Sequence, residues 1–145
     1  MDSHVRDISQ ADQVDPSEAA WWRVSRPVLS HFGEVVARAD LQGKVVACFQ
    51  HVRPDTPLIL LPLVRAGATV RIAAVNADST DDTAAAVLAR GGAEVWAWSG
   101  MAETERLEGL ERLLETPADA LSDMGGELIA AAARQGGPVP EGAVE

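Results

Sequence analysis

Cysteine, basic charge and long apolar runs are what this 145-residue chain has least of. Cys48 stands alone, which excludes an intrachain disulfide and suits a cytoplasmic home. Lys44 is the only lysine, and 12 lysines and arginines face 22 acids for a net charge of −10. With a pI near 4.6, the chain lacks the basic footprint that nucleic acid or an anionic membrane surface requires, and neither is expected as a partner. No apolar stretch is long enough to span a bilayer. The opening Met1-Asp2-Ser3-His4 has neither the basic nor the apolar region of a signal peptide. Histidines 4, 31 and 51 fall at no metal-ligand spacing and have no cysteine cluster beside them, so no metal site is expected. Dinucleotide, P-loop and nucleophile-elbow fingerprints are also missing. Gly91-Gly92 and Gly125-Gly126 are isolated pairs and do not indicate phosphate binding.

What remains is an ordinary globular composition, 47% apolar and 23% charged, with length for one domain and a real core. Residues 1–15 are polar without an apolar period and are expected to form a flexible N-terminal arm. Asp15-Pro16-Ser17-Glu18 opens a helix, with a capping residue, an early proline and an acid in the first turn. Trp21 and Trp22 on it are expected to pack in the core or at an interface. Pro27 restarts helical spacing, which runs to about Arg38.

From Lys44 the pattern alternates. Residues 44–49, 69–75, 94–98 and, more weakly, 118–124 are short apolar runs of the kind found in buried parallel strands. Helices are predicted over 56–66, from Ser79 to Gly91, over 102–114 and over 127–134. Ser79 is expected to be the N-cap of the second of these, with Asp82 reaching back in a capping box. The Gly- and Pro-rich residues 135–145 are expected to form an irregular tail. Alternation with short turns predicts a single α/β domain over 16–134. It would be an open parallel sheet with helices on both faces, a Rossmann- or flavodoxin-like three-layer sandwich preceded by the N-terminal helices.

Polar turns recur where the strands end: Gln50 to Thr56, Asn76 to Asp82, and Ser122 to Glu127. If the strands are neighbours, these turns converge on one rim, where ligands of such sheets bind. A histidine, carboxylates and hydroxyls there can orient a polar ligand or move a proton. Each also has a purely structural role open to it. Asp55, Ser79 and Asp82 serve equally as helix caps, His51 as a partner of a backbone group, and Asp123 as an acceptor for the following glycine turn.

The order of these turns resembles the S-adenosyl-L-homocysteine hydrolase family, in the N-terminal part of its substrate-binding domain. Asn76 through Gly100 carries the closest likeness, reading like the family's Cys-Asn-…-Ser-Thr-Gln-Asp run, alanine-rich helix and Ala-Trp-Lys-Gly strand end. Arg26-Pro27-Val28-Leu29, Leu41-Gln42-Gly43, Gly67-Ala68-Thr69-Val70 and Asp123-Met124-Gly125-Gly126-Glu127 support it. The family cleaves its thioether substrate by transient oxidation at the ribose 3′ carbon with tightly bound NAD. The resemblance implies that His51 and Asp123 are the catalytic candidates. Arg53, Asp55, Thr56, Asn76, Ser79, Thr80, Asp82, Met124 and Glu127 are then implied to line a nucleoside-like ligand. His51 corresponds to the family's histidine near the ribose, Asp55 to its adenine-contacting glutamate, and Thr56 to the threonine that follows.

The departures carry as much meaning. Arg53 stands where the family has a small substrate-contacting threonine, and Gln50 reads as an extra residue before His51. Met124 replaces the second aspartate of Asp-Asp-Gly-Gly, the family's catalytic carboxylate, and a thioether takes no proton in that role. The family's later lysine and aspartate, its NAD domain and its cofactor-capping tail have no counterpart in these residues. NAD is therefore expected only if a further domain or a partner chain supplies its site. These features imply a divergent domain redeployed in specialised metabolism to bind a nucleoside or related polar ligand, without hydrolase activity of its own. The alternatives are an N-terminal piece of a longer NAD-dependent enzyme and a non-catalytic partner-binding or dimerisation module. Apolar surface left uncovered by a missing half predicts a homo-oligomer or a partner chain.

Overall fold

A computed structural model describes all residues, Met1–Glu145. Six strands form one sheet: β1 (His4–Val5), β2 (Val45–Gln50), β3 (Thr69–Ala74), β4 (Glu94–Ala97), β5 (Ala120–Asp123) and β6 (Gly142–Val144). Their order is β1-β4-β3-β2-β5-β6 and every pairing is parallel. Helices are α1 (Pro16–Ser25), α2 (Pro27–Val36), α3 (Thr56–Arg65), α4 (Asp82–Arg90), α5 (Glu103–Leu113) and α6 (Glu127–Gln135). The expected open α/β sandwich is thus the observed one.

Ala47, Cys48 and Phe49 of β2, β3 after Thr69 and β4 after Glu94 are buried on both faces, as their apolar runs require. Phe49, Ile72, Leu88, Val95, Leu113 and Leu128 are fully enclosed and hold the two helical layers to the sheet. The crossover rule places α3 and α4 on one face and α5 and α6 on the other. On the second face α5 lies close to the sheet at Gly109. A Cβ there would stand 2.5 Å from Trp96 Cδ1 and 3.1 Å from the Ala73 Cβ.

Two local expectations give way and a third narrows. Residues 1–15 are not without regular structure. His4–Val5 extend the sheet beside β4, and Ile8–Gln13 form a 3₁₀ turn capped by Asp7, which accepts from Ser9 N–H. Gly142–Val144 of the tail likewise pair with β5, where Lys44 bridges Asp119 and Glu141 at 3.1 and 2.8 Å. For Trp21 and Trp22 the core half of the expectation fails and the interface half stays open: α1 and α2 bury no residue, and Trp21, Val24, Val28, Phe32 and Val35 are exposed. No helix is long and apolar enough to cross a membrane.

Candidate functional site

From β2 the chain builds outward through β3 to β4, then returns to lay β5 on the other side of β2. The strand order therefore reverses between β2 and β5, and a crevice opens at the carboxyl ends of such a pair. Phe49 is in register with Asp123, and Met124 N–H donates to Phe49 O at 2.9 Å. Gln50 Nε2 donates to Ser122 Oγ across the same boundary. These contacts place the first and third polar turns side by side. The second turn joins them through Asp81 N–H, which donates to Val52 O at 2.8 Å.

At the centre, His51 Nδ1 lies 2.5 Å from Ser79 Oγ, linking turns 28 residues apart in sequence. Thr56 is buried and braces the histidine's backbone, donating to His51 O at 3.1 Å while accepting from Arg53 N–H at 2.9 Å. Asn76 organises the second turn. Its side chain accepts from Asp78 N–H at 2.8 Å, and its carbonyl accepts from Ser79 at 3.2 Å and from Thr80 at 2.9 Å. Asp123, 1% exposed, accepts from Ile129 N–H at 2.9 Å through Oδ2, while Oδ1 has no partner. An acceptor enclosed without a donor is costly unless a ligand or water completes it. The Gly125-Gly126 turn beside it has φ of 94° and 78°, which side-chain-bearing residues rarely adopt.

The structure thus gathers His51, Thr56, Asn76, Ser79, Thr80 and Asp123 at one rim. Other expected residues are turned to different partners. Asp82 does not reach back to cap α4. It accepts from Ser99 N–H at 2.7 Å and Ser99 Oγ at 2.6 Å, with Arg6 at 3.4 Å. Ser79 is likewise not the N-cap. Thr80 and Asp81 are extended, so the helix starts later and Asp81 caps it, accepting from Ala84 N–H at 2.7 Å. Asp55 makes no capping bond and pairs with Arg26 at 3.4 Å. Glu127 is held by Arg106 at 3.0 and 3.1 Å.

Arg106 was not legible as a site residue. Its guanidinium also grips Glu103 and lies 5.4 Å over the Phe49 ring, at the floor of the crevice. Its bonds to Glu103 first, and to Glu127 after, raise its pKa further and hold Glu103 below the usual carboxylate range. Arg53 is exposed, and its guanidinium makes no hydrogen bond or ion pair in the chain. Met124 is 46% exposed. No group of three metal-ligating side chains assembles.

The start of α3 does not fit a dinucleotide pyrophosphate. Thr56 N–H is spent on Arg53 O and Leu58 N–H on Asp55 O, and Pro57 has no N–H. A cavity of about 680 Å³ lies elsewhere, between α1–α2 and α3–α4, touching Pro54 and Asp81 but not His51, Ser79 or Asp123. Its lining mixes apolar side chains with charged ones such as Asp15, Glu18, Arg23, Glu34 and Arg65, but it lies away from the strand-order reversal, where ligands of such sheets bind, so the rim is the stronger site.

Topology and rim together define a doubly wound, Rossmann-like α/β domain with its polar turns at the reversal point. Residues 2–137 match the model of the S-adenosyl-L-homocysteine hydrolase family, and the chain belongs to that family. It is 31% identical over 131 residues to an adenosylhomocysteinase of Sulfurisphaera tokodaii, covering 90% of this chain and 31% of the relative. It is 31% identical over 145 residues to an adenosylhomocysteinase of Pyrobaculum aerophilum, covering 99% of this chain and 33% of the relative. Identity to an S-inosyl-L-homocysteine hydrolase of Methanopyrus kandleri is 33% over 111 residues, covering 76% of this chain and 26% of the relative. The chain spans about a third of the length of the curated relatives it matches.

Proposed function

We propose that this chain is a divergent adenosylhomocysteinase-like domain that binds a nucleoside, or a small polar molecule like one, in the crevice over β2, β3 and β5. The observation that carries this reading is the convergence of the His51–Ser79 pair and the buried, half-satisfied Asp123 carboxylate at the strand-order reversal. His51 would meet the ligand as acid, base or acceptor, and Asp123 Oδ1, enclosed in the unliganded chain, would accept from a ligand hydroxyl or amine once the Gly125-Gly126 turn shifts to admit it. Arg53, uncommitted at the rim, suits an anionic or acceptor group on the ligand. Thr56 and Thr80 shape the wall more than they touch the ligand, since their hydroxyls are already shared among the turns, whereas exposed Asn76 spends Oδ1 on Asp78 N–H and keeps its side-chain NH2 uncommitted.

By itself the domain is proposed not to hydrolyse S-adenosylhomocysteine. The Met124 thioether offers no proton acceptor where the family has a carboxylate, the Thr56 and Leu58 amides at the start of α3 are already spent, and NAD is proposed to bind only where a further domain or partner chain supplies its site. Calorimetric titration with adenosine, inosine and S-adenosylhomocysteine tests the binding, inosine being included because some relatives are S-inosyl-L-homocysteine hydrolases. Saturable binding of a nucleoside, weakened but still measurable in His51→Ala, supports the reading; no binding by any of the three refutes it. Incubation with S-adenosylhomocysteine and NAD should release no adenosine, and steady turnover would overturn that part.

A second reading is favoured by the coverage of the relatives: the same residues serve as the first third of a longer NAD-dependent enzyme. The reading frame beyond Glu145 decides between the two. The apolar row of Trp21, Val24, Val28, Phe32 and Val35 further supports self-association. A strictly monomeric mass in sedimentation would count against it.

A further inference from the structure

We infer that Ser79 is a positioning residue that fixes the tautomer of His51, so that Nδ1 carries the ring proton and Nε2 keeps its lone pair for the crevice. A neutral imidazole has one N–H and one lone pair, and the bond made by one nitrogen decides the state of the other. Here the bond is to Ser79 Oγ, at 2.5 Å from Nδ1. Ser79 has a single hydroxyl proton, and its second neighbour is the Asn76 carbonyl at 3.2 Å, which can only accept. If the hydroxyl donated to Nδ1, Ser79 Oγ and Asn76 O would face each other as two acceptors with no proton between them. If it donates to Asn76 O, each contact holds one proton, and Nδ1 is the donor.

The arrangement is held from both sides. Thr56 Oγ1 fixes the His51 carbonyl at 3.1 Å, Val52 beside it is fully buried, and Asp81 N–H ties the second turn to Val52 O at 2.8 Å. The histidine's backbone and the serine therefore cannot drift apart independently. Nε2 makes no hydrogen bond within the chain. Ser79 would touch no ligand; it would act through His51. What the free lone pair is for rests on the nucleoside reading of the crevice, while the tautomer itself does not.

The test is a two-bond nitrogen–proton correlation spectrum of the ring-labelled protein, recorded well above the ordinary histidine pKa of about 6.5. His31, 77% exposed on its side chain and with Nδ1 3.9 Å from Glu34 Oε2, beyond hydrogen-bond distance, serves as the internal reference for a solvated ring. Wild type is expected to show His51 with the proton on Nδ1, unlike His31. Ser79→Ala should shift His51 to the pattern of His31, and Ser79→Thr should restore the fixed form. A proton on Nε2 in wild type, or a tautomer unchanged in Ser79→Ala, overturns the inference. Wild type and Ser79→Thr decide the matter even if the alanine variant does not fold.

Adenosine titration adds a readout that a merely structural serine would not move. Ser79→Ala should weaken binding roughly fivefold to tenfold, the scale of one hydrogen bond. In a His51→Ala background it should add less than about twofold, because coupled groups are not additive. Equal losses in both backgrounds would show that Ser79 does not act through His51. A fixed Nδ1 proton in a protein that binds none of adenosine, inosine and S-adenosylhomocysteine refutes the nucleoside reading and upholds the positioning. Binding with the proton on Nε2 does the reverse.

Discussion

Gly109→Ala is the sharpest probe of how the helix layer holds the crevice floor. The substitution places opposed effects on one atom. In the interior of α5, alanine is favoured over glycine by about 1 kcal/mol of helix propensity. Against that, the new methyl would sit 2.5 Å from Trp96 Cδ1, 3.2 Å from its Nε1 and 3.1 Å from the Ala73 Cβ. The indole cannot swing aside freely. It is 8% exposed, donates to Glu105 O at 2.9 Å, and has the Arg112 guanidinium 4.2 Å above it. His4 and Trp98 lie against it, with ring centroids at 5.0 and 5.5 Å. Overpacking costs about 1–3 kcal/mol, and loss of the Trp96 bond adds about 1 kcal/mol. The sum outweighs the propensity gain, and the expected net loss is roughly 1–3 kcal/mol. Gly33→Ala is the comparator. Its Cβ would meet Pro62 Cγ at 3.1 Å, with Leu58 O and Pro62 Cβ at an ordinary 3.8 Å, so propensity and contact nearly cancel and the change should stay within about 1 kcal/mol. Urea unfolding followed by tryptophan fluorescence reads both variants. Because Arg106 lies on the same helix and reaches Glu127 and the Phe49 ring, Gly109→Ala should also weaken ligand binding. A Gly109→Ala protein as stable as wild type would refute the close approach of α5 to the sheet and the placement of Arg106 that depends on it.

Cys48 is fully buried, and burial pushes its thiol up to about 12. The thiolate fraction at pH 8 is then on the order of 10⁻⁴, against roughly a quarter for an ordinary thiol near 8.5. A chromogenic disulfide reagent should leave the native protein untouched and react fully in denaturant; rapid native labelling would contradict the burial. At the opposite end of the sheet, the Val45 N–H bond and then Lys44 hold the Asp119 carboxyl below the usual range. A carboxyl with a depressed folded pKa stabilises fully above its unfolded value of about 3.9, and that contribution is lost as pH falls through the folded value. Asp119→Asn should therefore flatten the fall of stability below about pH 4. A variant curve parallel to wild type there would show that the pair does not contribute.

Much of the sheet was legible because alternating apolar runs and polar turns leave few other arrangements for β2 through β5. The edge strands were not, since His4–Val5 and Gly142–Val144 are too short to carry any period and are set by pairing with β4 and β5. The run Ser79-Thr80-Asp81-Asp82 offers several capping side chains in succession, and composition could not choose among them. The extended backbone at Thr80 and Asp81 chooses Asp81, which frees Asp82 for Ser99 and Ser79 for His51. Convergence of the polar turns was readable from their position after strands. Contacts from Arg26 to Asp55 and from Arg106 to Glu127 were not, because they depend on how α2 meets the start of α3 and how α5 lies beside α6. Arg106 pairs at i,i−3 with Glu103, a spacing common on solvated helix faces, and nothing local marks it as a crevice residue.

The most direct test of the central claim is an amide chemical-shift map of the protein titrated with adenosine. The crevice reading predicts perturbations confined to Gln50–Thr56, Asn76–Asp82 and Ser122–Glu127. The cavity between α1–α2 and α3–α4 should stay silent. Shifts centred on Ala19, Gly33, Leu61 and Val87 would move the ligand to that cavity and contradict the account.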